Sequence, residues 1–398
     1  MSFPTSPTNG QIATLSNGIT YSYTSATNYW ARLAGGVSAP PSFKNRLING
    51  AMTFAQRGSS PVSNQVASST LKYNTLDRWG YWANALGYFY LEQSTASVPT
   101  GYTNSALITS GSATTVSSGV YATFSQRIEG YNVADLAWGT SSAQSVSVSF
   151  WVNCSLTGTF SGYVSNSGNT YSYPFTFTIS AANTWVQITR TILGPTTGSW
   201  NNTTGIGIEF GITLAAGSTY QDTANAWTTK SFAIGSAGST NLLATNGATM
   251  YVTGVQLEAG ASATTFDYRS YTTELQLCQR YYCSSFQDGT TPADNSSSVP
   301  APGYYTGMVI VGGADIRTGS IPFPVSMRAT PTITLYKTLN SSTNGMWAYF
   351  NGGGWATASN TTSDNVNNKG FNADLTISGG TTGQAFIVSG MWTAAIEL

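Results

Sequence analysis

The feature that most constrains the fold of this chain is an alternation of apolar and small polar residues with a period of two. Such alternation is typical of β-strands that bury one face and expose the other. It occurs at residues 87–91, 121–127, 145–152, 173–179, 184–190, 206–212 and 249–257, and again at 304–311, 332–336, 346–350, 370–377 and 385–393. Because Gly-, Ser- and Asn-rich turns separate these segments and no strand–helix–strand alternation appears, we predict an all-β protein of antiparallel β-sandwiches, the first being a jelly roll.

Only one segment carries a helix signal. Thr272 or Thr273 can cap its N-terminus, and Glu274 places an acid in its first turn. This short helix separates two β-rich regions, so we predict four parts. They are an N-terminal hairpin module at residues 1–38, a jelly roll at 39–270, a linking helix at 271–283 and a C-terminal β-sandwich head at 284–398.

The N-terminal module is a hairpin candidate. The dipeptide Asn17-Gly18 lies between residues 11–15 and 19–23, and this dipeptide suits a two-residue type I′ turn. Its small core is predicted to consist of Tyr21, Tyr23 and Trp30. Because so few residues rarely fold alone, we expect the module to dock on another protein or on its own copies.

Charge and cysteine content exclude several classes of function. Fifteen basic residues balance fifteen acidic ones, so no net field attracts nucleic acid. No apolar run is long enough for membrane insertion, and the amino terminus has no signal-peptide pattern, so synthesis in the host cytoplasm is expected. Three cysteines without CxxC spacing favour buried free thiols over disulfides or zinc.

Catalytic groups are scarce. The chain contains no histidine, which removes the commonest general base and metal ligand. Hydrolysis by paired acids would require Asp222 with Glu209, or Asp364 with Asp374, and no motif supports either pair. We therefore predict no catalytic residues, no metal and no cofactor.

A carbohydrate-binding surface is the better supported feature. Sugar recognition combines aromatic rings, which cover the C–H faces of a pyranose, with amide, hydroxyl and carboxylate groups. The candidates are Trp200, Tyr220, Asp222 and Trp227 in the first sandwich, and Trp347, Tyr349, Asn351, Trp355 and Asp364 in the second. The alternative for each aromatic residue is burial in a core. Trp355 is the best exception, because it follows three glycines.

Two separated signatures resemble one protein family. The first is NRLINGAMTFAQRGSS with LDRW at residues 76–79, and the second is GVQLEAGASATTFDYRSYTTELQLCQRYY at residues 254–282. Together they look like a family of tailed-bacteriophage structural proteins, chiefly tail fibres and receptor-binding proteins, including those of cyanophages. The amino-terminal SPTNGQIATLSNGITYSYTSATNYW is similar to short modules at the start of such proteins. In that family the central region resembles a carbohydrate-binding jelly roll that ends with the VQLE strand, and the fibre is commonly a homotrimer.

The resemblance implies a non-enzymatic virion component on the exterior of the tail or capsid, which attaches to host surface polysaccharide. The N-terminal module, with Tyr21, Tyr23 and Trp30, would contact other tail or capsid proteins. In a homotrimer, Leu275, Cys278 and Tyr282 could pack around the three-fold axis. The alternative, which stays open at this point, is that this stripe packs on its own jelly roll.

Two other functions are considered. One is a capsid or tail decoration protein that binds other virion proteins. The other is a polysaccharide depolymerase tailspike, which predicts a long β-helix. The strand spacing shows no repeat of about 20–30 residues that would support a β-helix.

Overall fold

The computed structural model describes residues 4–14, 20–26, 28–32, 43–64, 71–84, 88–294, 303–311, 314–338 and 340–398. These residues form 24 β-strands and one α-helix, which confirms the all-β class. The chain divides into two compact units, Met1–Lys44 and Asn45–Leu398. The jelly roll, the helix and the head therefore belong to one unit. Within the described ranges, no helix is long and apolar enough to cross a membrane.

The first unit contains a three-stranded antiparallel sheet of β1 (Ile12–Thr14), β2 (Thr20–Thr24) and β3 (Tyr29–Arg32). The predicted pairing of the first two strands is confirmed, and β3 was not predicted. Tyr23 on β2 pairs with Trp30 on β3, and their ring centroids lie 5.4 Å apart. This aromatic pair contains two of the three residues of the predicted small core, Tyr21, Tyr23 and Trp30.

The register of the hairpin differs from the prediction. Thr14 pairs with Thr20, whereas a two-residue loop at Asn17-Gly18 would pair Thr14 with Tyr21. The register is therefore shifted by one residue. The turn itself, at residues 15–19, lies outside the described residues.

The jelly roll contains eleven strands. They are β4 (Val62–Asn64), β5 (Gly80–Ala83), β6 (Phe89–Ser94), β7 (Ser105–Ser110), β8 (Tyr121–Glu129), β9 (Val146–Cys154), β10 (Gly158–Ser165), β11 (Ser172–Ile179), β12 (Val186–Ile192), β13 (Ile206–Ala216) and β14 (Thr249–Ala259). Four short 3₁₀ helices lie in its loops, at Gly130–Asn132, Ala134–Leu136, Ser218–Tyr220 and Leu242–Ala244. One antiparallel sheet has the strand order β11-β10-β13-β8-β5, and the other has the order β12-β9-β14-β7-β6-β4.

Strand alternation explains how the two sheets hold together. Phe150 on β9 is fully buried and meets Phe177 and Phe210 with ring centroids 5.3 and 6.3 Å apart. The first ring comes from one sheet and the other two come from the opposite sheet, so these contacts join the layers. Burial of each such side chain contributes about 2 kcal/mol. The thiols of Cys154, Cys278 and Cys283 are free and buried, as predicted.

The head contains ten strands. They are β15 (Tyr282–Ser284), β16 (Gly303–Val311), β17 (Asp315–Thr318), β18 (Ile321–Pro322), β19 (Thr332–Tyr336), β20 (Ala348–Phe350), β21 (Trp355–Thr357), β22 (Asn360–Asn367), β23 (Gly370–Thr376) and β24 (Ala385–Ala395). The long strand β24 organises them. Its first half pairs with β16 and β20, and its second half pairs with β15 and β19.

The two signatures recognised in the sequence meet in space. The last jelly-roll strand, β14, bulges at Gly254, which adopts a φ of 61°. A side chain there would collide with Tyr102, whose hydroxyl lies 2.5 Å from the position of an added Cβ. Beside the bulge, the Val255 N–H donates to the Gly50 carbonyl at 2.9 Å. The NRLING segment is thereby anchored on the VQLE strand.

The helix α1 spans Tyr271–Gln279. Its N-cap is Ser270, whose hydroxyl accepts a hydrogen bond from the Thr273 N–H at 3.4 Å. The predicted caps at Thr272 and Thr273 are therefore wrong, because the helix begins before them. Glu274 lies in the first turn, as predicted.

The apolar side of α1 is covered by its own chain. Cys278 is fully buried in a cluster with Ile48 and Phe54, and Leu275 packs against that cluster. Tyr282 lies beyond the helix in β15, where it is buried under the guanidinium of an arginine. Of the two alternatives for this stripe, packing on its own chain is the one that the structure shows.

Paired charges and tyrosines join the jelly roll to the head. Arg57 and Arg78 both donate to the carboxylate of Glu397, the former at 2.7 Å. The guanidinium of Arg78, which is 1% exposed, lies 3.6 Å from the ring centroid of Tyr281. Removing one partner of a buried pair leaves an uncompensated charge, so such clusters resist separation. The LDRW motif thus fixes the head to the jelly roll.

Candidate functional site

Three tryptophans from three different loops meet at one end of the jelly roll. The ring centroids of Trp138 and Trp200 lie 4.7 Å apart, and both rings lie 5.5 Å from that of Trp227. All three pairs are edge-to-face, a preferred arrangement of aromatic rings. Tyr171 stacks on Trp227 at 5.3 Å, with an interplanar angle of 10°. The predicted candidates Trp200 and Trp227 are thus brought together.

Backbone hydrogen bonds hold these rings in place. The indole N–H groups of Trp138, Trp200 and Trp227 donate to backbone carbonyls at 2.7, 3.1 and 2.8 Å, respectively. Gly198 adopts a φ of 92°, and a Cβ there would lie 3.1 Å from the Trp200 indole nitrogen. A glycine is therefore required beside the ring. The rings are fixed before any ligand arrives, which lowers the entropy cost of binding.

Beside these rings is a cleft of about 100 Å³, lined by Trp138, Trp200, Asn201, Asn202 and Thr140 among other residues. We call it the tryptophan cleft. Trp227 does not itself line the cleft but contacts the ring of Trp200, which does. Both rings are half-buried, and the Asn202 side chain is exposed. Aromatic surface next to amide and hydroxyl groups is the combination that suits a sugar ring.

Tyr220 and Asp222 do not line this cleft. Tyr220 belongs to a separate aromatic cluster, in which its ring centroid lies 5.5 Å from that of Phe232. The carboxylate of Asp222 accepts hydrogen bonds from the Thr228 hydroxyl and the Thr223 N–H, both at 2.7 Å. These bonds, chiefly the one from Thr228, lower the pKa of Asp222. Asp222 therefore stabilises the loop that carries Trp227.

Two predicted site residues in the head belong to its core. Trp347 is 0% exposed, stacks on Tyr305 at 5.2 Å and donates its indole N–H to the Met391 carbonyl. Tyr349 is 4% exposed and packs in the same cluster. This burial corrects the assignment of both residues to a glycan-binding surface. Tyr349 lies on the inward side of β20 and Trp347 directly precedes that strand, so the core alternative applies to both.

Two further candidates in the head have structural partners. The side-chain oxygen of Asn351 accepts from the N–H groups of Gly353 and Gly354, both at 3.0 Å, and so closes the glycine turn. Asp364 forms an ion pair with Arg317 at 2.6 Å. Both side chains thus stabilise local structure in the head.

Trp355 lies on an exposed apolar surface. Its ring stacks on Tyr304 at 5.8 Å and meets Phe350 at 5.6 Å. Pairing places Phe350 beside Ile387, so these side chains share one side of the sheet. Tyr304 is 57% exposed and Ile387 is 52% exposed. We call this surface the head face, and it consists of Tyr304, Met308, Ile310, Phe350, Trp355 and Ile387.

The acid pairs considered for hydrolysis are held by other side chains. Glu209 accepts from Arg127 at 2.9 Å and from the Tyr163 hydroxyl at 2.7 Å. Asp364 and Asp374 both bind Arg317. The parts of the chain that the structure describes hold no cluster of three or more acids or cysteines positioned for a metal ion.

Comparisons with known proteins return matches among solved structures alone. No family model and no curated protein matches it. Two matching solved structures are carbohydrate-binding modules of Clostridium thermocellum, one of family 11 from a cellulosomal cellulase and one of family 22. The first is 10% identical and covers 49% of this chain and 98% of its own, with a TM-score of 0.26. The second is 11% identical and covers 50% of this chain and 97% of its own, with a TM-score of 0.26.

A third matching structure is the enzymatically active domain of tailspike protein 4 of bacteriophage CBA120. It is 10% identical over 55% of this chain, with a TM-score of 0.29, and the match spans only 22% of the tailspike chain. Because all three TM-scores are low, these likenesses carry no argument about what this chain binds.

Proposed function

We propose that this protein is a non-enzymatic component of a phage virion, a tail fibre or receptor-binding protein, and that it attaches to host surface glycans through the tryptophan cleft. The observation that carries the proposal is the convergence of Trp138, Trp200 and Trp227 beside Asn201 and Asn202. Rigid rings with neighbouring amides offer a sugar both a stacking surface and hydrogen bonds. The engagement of Glu209, Asp364 and Asp374 by arginines supports a role without catalysis.

The assembly part of the proposal rests on the sequence resemblance. The N-terminal module would contact tail or capsid proteins, and the fibre would be a homotrimer on the virion exterior. Three clefts on one particle would raise avidity without changing the affinity of a single site. Weak single-site binding is therefore compatible with firm attachment.

Adsorption of phage to its host tests the proposal. Purified protein added in excess should block adsorption, because it occupies the host glycans. A variant with W200A and W227A should not block it, provided that its thermal unfolding matches the parent. Full blocking by this variant would contradict the proposal.

A second candidate is a decoration protein that binds other virion proteins, and the head face favours it. Exposed aliphatic side chains such as Met308 and Ile387 suit a protein partner better than a sugar. Binding of the purified chain to depleted virions, lost in M308S/I387S and unaffected in W200A/W227A, would support this function instead. Release of reducing sugar from host polysaccharide would support a depolymerase.

A further inference from the structure

A second cavity, of about 170 Å³, lies where the two sequence signatures meet. Its walls come from residues 45–54 and from the crossover at 266–274, which precedes and begins α1. It is many times larger than the space that one water molecule needs. None of the residues of the tryptophan cleft lines it.

Two exposed tyrosines flank this cavity. Tyr268 is 61% exposed and Tyr271 is 59% exposed. Each is supported by a less exposed ring, since Tyr268 lies 4.8 Å from Phe266 and Tyr271 lies 4.7 Å from Phe54, measured between centroids. The tyrosine rings are thus held from behind while part of their surface faces solvent.

One of the two residues between them explains why both tyrosines point outward. Arg269 turns inward and donates to the carbonyls of Asn45 and Leu47, the latter at 3.2 Å. It also pairs with the Glu274 carboxylate at 3.0 Å. This anchoring fixes the backbone on either side of Arg269. The rim of the cavity is therefore rigid, as a preorganised binding site requires.

Polar side chains also line the cavity. One oxygen of Asp267, Oδ2, accepts from the Asn45 N–H at 3.2 Å. Among the described residues, no donor reaches its other oxygen, Oδ1, which leaves an acceptor for a ligand hydroxyl. Thr53 also lines the cavity. Aromatic stacking surfaces and hydroxyl-binding groups that line one cavity match the two kinds of surface on a sugar ring.

We infer that this cavity, the tyrosine cleft, is a second saccharide-binding site, which takes one neutral pyranose unit. An acidic sugar is disfavoured because the carboxylates of Asp267 and Glu274 outnumber Arg269, whose charge Glu274 and two carbonyls already engage. This site goes beyond the proposed function, since it shares no residue with the tryptophan cleft.

The test uses the full chain carrying W200A and W227A, so that sugar binding at the tryptophan cleft does not contribute. Methyl glycosides of glucose, galactose, mannose and rhamnose are titrated, and binding is followed by saturation-transfer NMR and calorimetry. At least one glycoside should bind. Adding Y268A and Y271A should weaken it about tenfold, because two stacking surfaces are lost.

Three matched variants make the result decisive. Y268F/Y271F keeps both rings but loses the hydrogen bond from the Tyr268 hydroxyl to the Gly101 carbonyl, and it should restore most of the binding that Y268A/Y271A loses. Y29A removes another exposed tyrosine, which is 64% exposed and lies in the first unit, and should have no effect. T53W fills the cavity without altering either tyrosine and should abolish binding, which provides a second test if the alanine variant fails to fold.

The inference is overturned if no glycoside binds in the W200A/W227A background, or if T53W and Y268A/Y271A bind as well as the parent. Polysaccharide binding that depends only on Trp200 and Trp227 would support the proposed function and contradict a saccharide site in the tyrosine cleft. Glycoside binding that depends only on the tyrosines would support the tyrosine cleft and contradict the proposed function.

Discussion

The tryptophan cleft of the jelly roll and the head face both present aromatic rings to solvent, yet their neighbours differ. In the cleft, the rings lie beside the amides of Asn201 and Asn202. On the head face, Trp355 lies on the same surface as the aliphatic side chains of Met308 and Ile387. A sugar needs hydrogen bonds around its ring, whereas a protein partner gains from continuous apolar contact. The neighbours of an aromatic residue, more than the residue itself, thus separate the two kinds of surface.

The two surfaces are also built differently. The cleft comes from loops that are held by backbone hydrogen bonds, while the head face comes from strand register. A substitution in the cleft should therefore change binding with little effect on folding. A substitution under the head face should destabilise the fold with little effect on binding.

The largest expected effect comes from truncating the core beneath the head face. Trp347→Ala should destabilise the second unit by about 4 kcal/mol, because a fully buried ring leaves a cavity. Denaturant unfolding measures this loss. Trp200→Ala, at a half-buried ring of the cleft, is the matched control and should cost clearly less. Equal losses would contradict the distinction between core and cleft.

The next effect concerns the junction between the jelly roll and the head, which consists of Arg57, Arg78 and Glu397. Glu397→Ala should cost about 3 kcal/mol, because it leaves the buried guanidinium of Arg78 without its carboxylate. Thermal unfolding of the variant measures the cost. Asp364→Ala removes an exposed ion-pair partner in the head and serves as the control, with no measurable change expected. A similar outcome for both variants would show that the junction is not a stabilising contact.

We also expect the stability of the folded protein to depend on pH. Burial raises the pKa of Asp77 from its ordinary 3.8 to about 7, against the opposing effect of Arg57. Between about pH 4 and pH 7, Asp77 in the folded protein therefore keeps a proton that the unfolded chain has released. The stability that this group contributes is fully present below about pH 4 and is lost as the pH rises through about 7, by at most about 1.4 kcal/mol per pH unit.

Unfolding free energies measured from pH 4 to pH 8 check this slope. Asp77→Asn, which does not titrate, should flatten it. An unchanged slope in D77N would assign the pH dependence to another group.

Substitutions on the head face should have the smallest effect on glycan affinity. Met308→Ser and Ile387→Ser should leave affinity for host polysaccharide unchanged, since neither residue lines the cleft. They should reduce self-association or binding to virion proteins, measured by sedimentation. Lost glycan affinity in M308S/I387S would break the division of roles between the two surfaces.

Much of the fold follows from the sequence because period-two alternation indicates which side of a strand faces a core. The pattern gives no such information where the residues on both sides of the strand are apolar. In β16, Tyr304 and Met308 alternate with Tyr305 and Val309, so the pattern does not show that one set remains exposed. Trp347 directly precedes β20 in the apolar run 346–350, where the pattern likewise did not distinguish a core residue from a binding residue.

The candidate site was predictable only in part. Trp200 and Trp227 stood out because they lie between strands. Trp138 and Tyr171 were missed, since only the sheet topology brings their loops together. Short-range signals also misplaced the helix start, because Ser270 is a serviceable cap and lies before either threonine.

The most direct test of the central claim is the affinity of purified host surface polysaccharide for the protein, measured by affinity electrophoresis. The parent chain and M308S/I387S should bind alike, whereas W200A/W227A should bind at least about tenfold more weakly, equivalent to about 1.4 kcal/mol. Unchanged binding by a folded W200A/W227A variant would contradict the claim that the tryptophan cleft binds the glycan.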